Sequence, residues 1–304
     1  MPPRIACVYF LFVLCLGAWG CSSEDPPSDE DTGPIEKPCE GYASARCETM
    51  NRCAPALFAI EHGDLDACRS ELRAWCVHVG HLPGVRVGAK AIGACASTFR
   101  SLSCAAWQAR RDDPFCDAPG GSLSVDEPCI SGYQCASKAC YLDAQGVCGV
   151  CQPTAGVGDP CRQSMECPAT SACVGYHCLK TMALGEECGS GRPCAGQLLC
   201  LSGTCQQSPA LHDPCIENTC NNRLATECVQ GVCEPLETAA TGQACGLING
   251  KTVYCGRGTC SSQGVCVAPV PEGRPCQDSS GPTCLQPAVC VDGWCKIPQP
   301  SMCQ

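Results

Sequence analysis

Cysteine carries most of the chemistry open to this chain. Thirty-seven of its 304 residues are Cys, and a thiol can bind a soft metal, attack an electrophile, accept a lipid or cross-link the backbone. Spacing separates these uses. Zinc and copper(I) sites bring two sulfurs to one ion through C-x2-C or C-x-C, and the chain has a single C-x2-C, Cys148 and Cys151, and no C-x-C. Gaps of four to nine residues prevail in the C-terminal part, and these suit disulfide-linked loops. The five His stand at 62, 78, 81, 177 and 212. His78 and His81 share a helical face that could hold a metal, but polar side chains at a helix C-terminus also meet its orphan carbonyls and dipole, and no metal is expected. The chain has no G-x-S-x-G, H-E-x-x-H, P-loop or G-x-G-x-x-G pattern. Glu186-Glu187 and Asp112-Asp113 read as solvated turn acids, so the sequence predicts no catalytic residue, no cofactor and no enzyme.

The start of the chain bears on where such chemistry would occur. Arg4 precedes an apolar run from Ile5 to Leu16, then small residues and Cys21. This pattern reads as a secretory signal peptide over 1–20, too short for a membrane span of about 20 apolar residues. It resembles a bacterial lipoprotein signal, with Gly20 before Cys21, and that resemblance implies cleavage and lipidation at Cys21. Setting aside Cys7, Cys15 and Cys21 leaves 34 Cys, an even number that can pair completely. Export to the periplasm or cell surface would supply the oxidising conditions that disulfides need. Residues 21–38 are rich in Asp, Glu and Pro and read as an acidic disordered tether. The net charge of −10 argues against nucleic acid as a partner.

Two kinds of element follow. Residues 39–118 hold Cys39, Cys47, Cys53, Cys68, Cys76, Cys95, Cys104 and Cys116 in a helical pattern. Asp64 can cap a helix whose Cys68, Leu72, Trp75, Cys76 and Val79 share one face. A second face runs Ile92, Cys95, Phe99, Leu102, and Cys39 to Cys53 forms a third helix. With Phe58, Trp107 and Phe115 these make a small bundle, stapled by up to four disulfides.

From 126 to 304 the chain repeats itself. Six openings, Asp126 to Cys129, Gly158 to Cys161, Gly185 to Cys188, His212 to Cys215, Gly242 to Cys245 and Gly273 to Cys276, begin units 27 to 32 residues apart, the signature of an array. Gly-x-Cys or Gly-x-x-Cys closings end at Cys148, Cys178, Cys205, Cys233, Cys266 and Cys295. The inner pairs are Cys135 and Cys140, Cys167 and Cys173, Cys194 and Cys200, Cys220 and Cys228, Cys255 and Cys260, and Cys284 and Cys290. Cys151 and Cys303 are left over, able to bond to each other or to neighbouring units. Each four-Cys unit has three possible connectivities, all open at this point. Gly before the closing Cys predicts a tight hairpin turn.

This array resembles the Dickkopf N-terminal cysteine-rich type of repeat, and the whole arrangement is similar to cysteine-rich lipoproteins of myxobacteria and related deltaproteobacteria. The opening G-x-P-C, the closing G-x-C and the four-Cys period carry that resemblance over about 60% of the chain. The expected fold class is small and disulfide-rich: a stapled helical module, then an elongated array of about six repeats with short hairpins. The expected function is that of an exported, lipid-anchored interaction, adhesion or scaffolding protein of the outer membrane. Its partners are the membrane, through Cys21, and a surface protein or glycan. Tyr133, Tyr141, Tyr176 and Trp294 are the candidate binding residues, because rigid aromatics make good anchors. A secreted protease inhibitor and a structural envelope spacer are the alternatives.

Overall fold

The computed structural model describes residues 33–109, 116, 119–143, 146–161, 167–168, 170–221, 224–277 and 280–303. The signal peptide, the Cys21 lipidation site, most of the tether, Asp112-Asp113 and Phe115 lie outside the described residues.

Five helices come first: α1 (Glu36–Cys53), α2 (Pro55–Glu61), α3 (Leu65–Gly80), α4 (Ala89–Ser101) and α5 (Cys104–Ala109). The helical start at Glu36 corrects the boundary of the tether. Ile35 is buried in the core with Tyr42, Ile92 and Phe99, so this aliphatic residue ends the acidic run and fastens the chain. Asp64 caps α3, its carboxylate accepting from Ala67 N at 2.8 Å, which satisfies one orphan N–H of the first turn. Cys68, Leu72, Cys76 and Val79 are buried along one face of α3, and Ile92, Cys95 and Phe99 along α4. Trp107 of α5 bridges the two apolar clusters of the module. Four disulfides cross-link the bundle: Cys39–Cys76, Cys47–Cys68, Cys53–Cys104 and Cys95–Cys116. Among the described residues no helix is long and apolar enough to cross a membrane.

Each repeat is a hairpin with its opening strand laid alongside. In the second repeat, strand Ser171–Val174 pairs with His177–Lys180. Gly175 and Tyr176 turn between them at φ +59° and +65°. Ser202-Gly203, Gln230-Gly231 and Asp292-Gly293 repeat the left-handed pair, the type I′ geometry whose twist matches a hairpin. The opening turn is just as regular. Asp126, Gly158, Gly185, His212, Gly242 and Gly273 all have positive φ, and their N–H groups donate to the carbonyls of Cys151, Cys178, Cys205, Cys233, Cys266 and Cys295 at 2.7–2.8 Å. The next residue adds a side-chain brace in several units, as in Gly156 N to Asp159 Oδ2 and Ala183 N to Glu186 Oε2, both 2.7 Å. The Gly-rich openings supply a conformation that costs an L-residue about 1 kcal/mol or more; Asp126 and His212 adopt it without Gly.

All six repeats share one connectivity, first Cys to third and second to fourth. Cys161–Cys173 with Cys167–Cys178 and Cys188–Cys200 with Cys194–Cys205 show it. Cys215–Cys228 with Cys220–Cys233, Cys245–Cys260 with Cys255–Cys266, and Cys276–Cys290 with Cys284–Cys295 continue it. The first repeat corrects the expected assignment. Its pairs are Cys129–Cys140 and Cys135–Cys151, so Cys151 closes the unit and Cys148 is the supernumerary thiol. The reason is register: strand Cys140–Leu142 pairs with Gly149–Cys151, placing Cys140 opposite Cys151 and leaving Cys148 in the loop between them.

Cys148 bonds to Cys303, 155 residues away, with Cα atoms 5.3 Å apart. The elongated array expected from the repeats is therefore replaced by one that returns on itself. The helical module supplies the surface it follows. Ser122 N donates to Gly84 O at 2.7 Å and the buried Gln134 amide donates to Pro83 O at 2.9 Å, which docks the first repeat. Gln108 accepts from Gln197 N and Ser208 N, and Arg257 N donates to Ile60 O at 2.7 Å, which hold the third repeat with the linker that follows it, and the fifth repeat.

Candidate functional site

The four aromatic candidates part company in the structure. Tyr133 packs edge-on against Trp75, ring centroids 6.2 Å apart, so it docks the first repeat on α3 and is not displayed. Tyr141 is half-buried in its hairpin opposite Val150. Tyr176, at a hairpin tip, is 78% exposed, and Trp294 is 51% exposed. Tyr176 stands in the type I′ turn itself, where no neighbouring strand covers it, and Trp294 opens the strand Trp294–Lys296 just after the Asp292-Gly293 turn.

Sequence reasoning overlooked a second displayed set. The residue just before the left-handed position of each opening turn is Val125, Val157, Leu184, Leu211, Thr241 and Glu272 in the six repeats. Val125, Val157 and Leu184 are exposed, whereas Leu211 lines a cleft beside α2. Aligning the units on their opening residue brings this column out; reading each unit alone does not.

That open cleft lies between α2 and the fourth and fifth repeats and has a volume of about 640 Å³. Its apolar lining includes Ala56, Leu211, Val229 and Leu236, and its charged lining is Glu227, Glu234, Glu237 and Lys251. Glu227 and Glu234 stand directly opposite each other, one in strand Thr226–Val229 and one in strand Val232–Pro235. Like charges so placed are destabilising. His212 Nδ1 lies 3.4 Å from Glu234 Oε2. Three carboxylates against one ammonium make the cleft attractive to cations.

A second charge cluster is structural. Arg257 of the fifth repeat donates to Glu71 Oε1 of α3 through Nη2 at 2.6 Å and Nε at 3.2 Å, and His62 Nδ1 lies 3.4 Å from Glu71 Oε2. Burial opposes the charge on Glu71, but the hydrogen bonds from His62 and Arg257 and their charges outweigh it and hold the carboxyl below its ordinary value. His78 and His81 go separate ways. Burial lowers the His78 pKa against the opposing charge of Glu272, and His81 Nε2 sits 3.5 Å from Glu36 Oε1. The sulfurs of Cys129, Cys135 and Cys151 lie within 4.8 Å of one another, but all three are in disulfides. Likewise the C-x2-C sulfurs serve two separate bonds, Cys148 to Cys303 and Cys151 to Cys135.

Neither the protein-family models, the curated proteins nor the solved structures contain a match to this chain. Its site rests on the geometry above.

Proposed function

We propose that this protein is an exported, lipid-anchored, non-catalytic interaction module of a bacterial outer membrane, adhesive or scaffolding in role, with Dickkopf-type repeats as its display framework. Cys21 would carry the lipid and residues 22–32 would hold the folded part off the membrane. The observation that supports this best is the closed disulfide framework with Tyr176 and Trp294 displayed at its surface. The seventeen disulfides among the described residues fit an oxidising compartment, and rigid aromatics on a rigid frame lose little entropy on binding. A purely structural spacer, whose role scales with its length, fits less well, because the Cys148–Cys303 bond folds the array back. The inhibitor alternative draws support from the Tyr176 tip, a single rigid loop of the kind that enters a protease cleft.

The deciding experiment has two parts. The intact mass of the membrane-extracted protein is expected to show a chain beginning at Cys21, heavier by acyl groups, with 34 thiols released only on reduction. Cross-linking on intact cells is then expected to capture a surface protein or glycan, and replacing Tyr176 and Trp294 by Ala is expected to abolish that capture. An unacylated start with inhibition of a protease panel would replace the proposal with the inhibitor reading.

A further inference from the structure

The acidic cleft carries an inference about the partner, and it rests on the interaction reading above. Its volume of about 640 Å³ lies within the range of small-ligand sites, roughly 300 to 1,000 Å³. The repeats themselves show that its charge is not a requirement of the framework. The residue before the third Cys and the residue after the fourth face each other in every unit. They are Ala139 and Gln152 in the first repeat, where Gln152 N donates to Ala139 O. In the next two they are Ala172 opposite Leu179 and Leu199 opposite Gln206. The last two have Thr259 opposite Val267 and Val289 opposite Lys296. Only the fourth repeat places two carboxylates there, Glu227 and Glu234, and only there does this pair face a cleft beside α2. The other five units build the same hairpin without acids at these two places, so folding gains nothing from the repulsion in the fourth. Among the described residues the side chains of Glu227 and Glu237 make no hydrogen bond or ion pair.

We infer that this cleft binds a basic extended segment of a partner protein. The aliphatic stem of its Lys or Arg would lie along Ala56, Leu211 and Val229, and its cationic head would reach Glu227, Glu234 and Glu237. Long basic side chains combine an apolar stem with a charged tip in this way, and charge-assisted bonds to carboxylates are the stronger hydrogen bonds available to them. The protein's own leader segment, with six acidic residues and one Lys between 22 and 38, has the wrong charge to occupy the cleft, so the occupant comes from another chain.

The test uses the full mature protein and a fluorescein-labelled heptapeptide of alternating Lys and Leu, titrated by fluorescence anisotropy, with the Glu–Leu peptide alongside. Binding of the Lys–Leu peptide alone is expected. Glu227→Gln with Glu234→Gln is expected to weaken it about tenfold, as two part-exposed ion pairs would. Asp66→Asn with Glu187→Gln removes the same total charge outside the cleft lining and is expected to leave affinity within about twofold. Ala59→Trp fills the cleft from an exposed position of α2 without touching a carboxylate, and a similar loss is expected. Equal weakening by the remote pair, or full affinity in both cleft variants, would overturn the inference and leave non-specific charge attraction in its place. Cell-surface cross-linking separates the two levels. Capture that persists in Glu227→Gln/Glu234→Gln removes the cleft alone, whereas no capture even by the wild type removes the interaction reading.

Discussion

In the helical module, Cys39–Cys76 crosses a cluster that also buries Tyr42, Ile92, Val79 and Phe99. In the second repeat the corresponding cluster is Cys161, Cys167 and Cys178, with Ala155 and Cys173 packed beside them. Both regions are cross-linked, but in the first the disulfides reinforce an apolar core and in the second they are most of the core. A unit of about twenty residues cannot bury enough apolar surface to offset its chain entropy. Two bonds of 11 to 16 residues' separation remove about 3 kcal/mol of that cost each by constraining the unfolded chain. The lesson concerns autonomy: a repeat depends on its own sulfurs, the module on side-chain packing, and the array as a whole on a bond that belongs to neither pattern.

That division is open to attack at points of decreasing strength. Replacing Cys148 and Cys303 together by Ser is expected to lower stability the most, by about 5 kcal/mol, because the bond closes the longest loop; chemical denaturation checks the size. Hydrogen exchange should still show every repeat protected, and collapse of the repeats as well would show that they are not autonomous. Phe99→Ala, which empties a site packed edge-on against Tyr42, is expected to cost about 4 kcal/mol and to reduce the helical circular dichroism. Cys188→Ser with Cys200→Ser is expected to cost about 3 kcal/mol, with exchange rising within 185–205 and little in the helices; a spread into α1 would erase the contrast between the regions.

Smaller effects probe the seam between them. Glu71→Gln leaves the part-buried Arg257 short of its charged partner, with an expected loss of about 2 kcal/mol. The acid limit follows from the same carboxylate: its pKa is lowered on folding from the ordinary 4.5. The pair's contribution is thus present above that pH and is lost as pH falls through the lowered folded value. Exchange around Ile60 and Arg257 in acid reports it, and the Gln variant should show no such step. Gly203→Ala, at φ +78°, is expected to cost only about 1 kcal/mol, read as a shift in local exchange at strand Thr204–Gln206.

The features open to sequence reading were those made by near neighbours. The six openings and closings, the helical faces of α3 and α4 and the Asp64 cap all arise within a few residues, where spacing reports geometry. Cys148 and Cys151 show the limit: Gly146-Val147-Cys148 and Gly149-Val150-Cys151 both satisfy the closing pattern, and only the pairing of Cys140 with Cys151 across the hairpin distinguishes them. The return of the array left no local mark, because Arg257 meets Glu71 across 186 residues and nothing near either residue announces the other. Tyr133 went inward for the same reason: it and Trp75 are partners only after the first repeat docks. The acidic cleft needed both steps, alignment of the units to expose the odd pair and the fold to place α2 over it.

The map of cross-links also divides the molecule in a way its folding does not. From Cys39 to Cys116 the loops Cys39–Cys76, Cys53–Cys104 and Cys95–Cys116 overlap, and from Cys129 to Cys303 the loops Cys129–Cys140, Cys135–Cys151 and Cys148–Cys303 do the same. A protease that cuts once inside either circuit leaves the fragments tied together. The stretch between Cys116 and Cys129 belongs to neither, so between Cys39 and Cys303 a single cut there is the one that leaves two pieces with no covalent link between them.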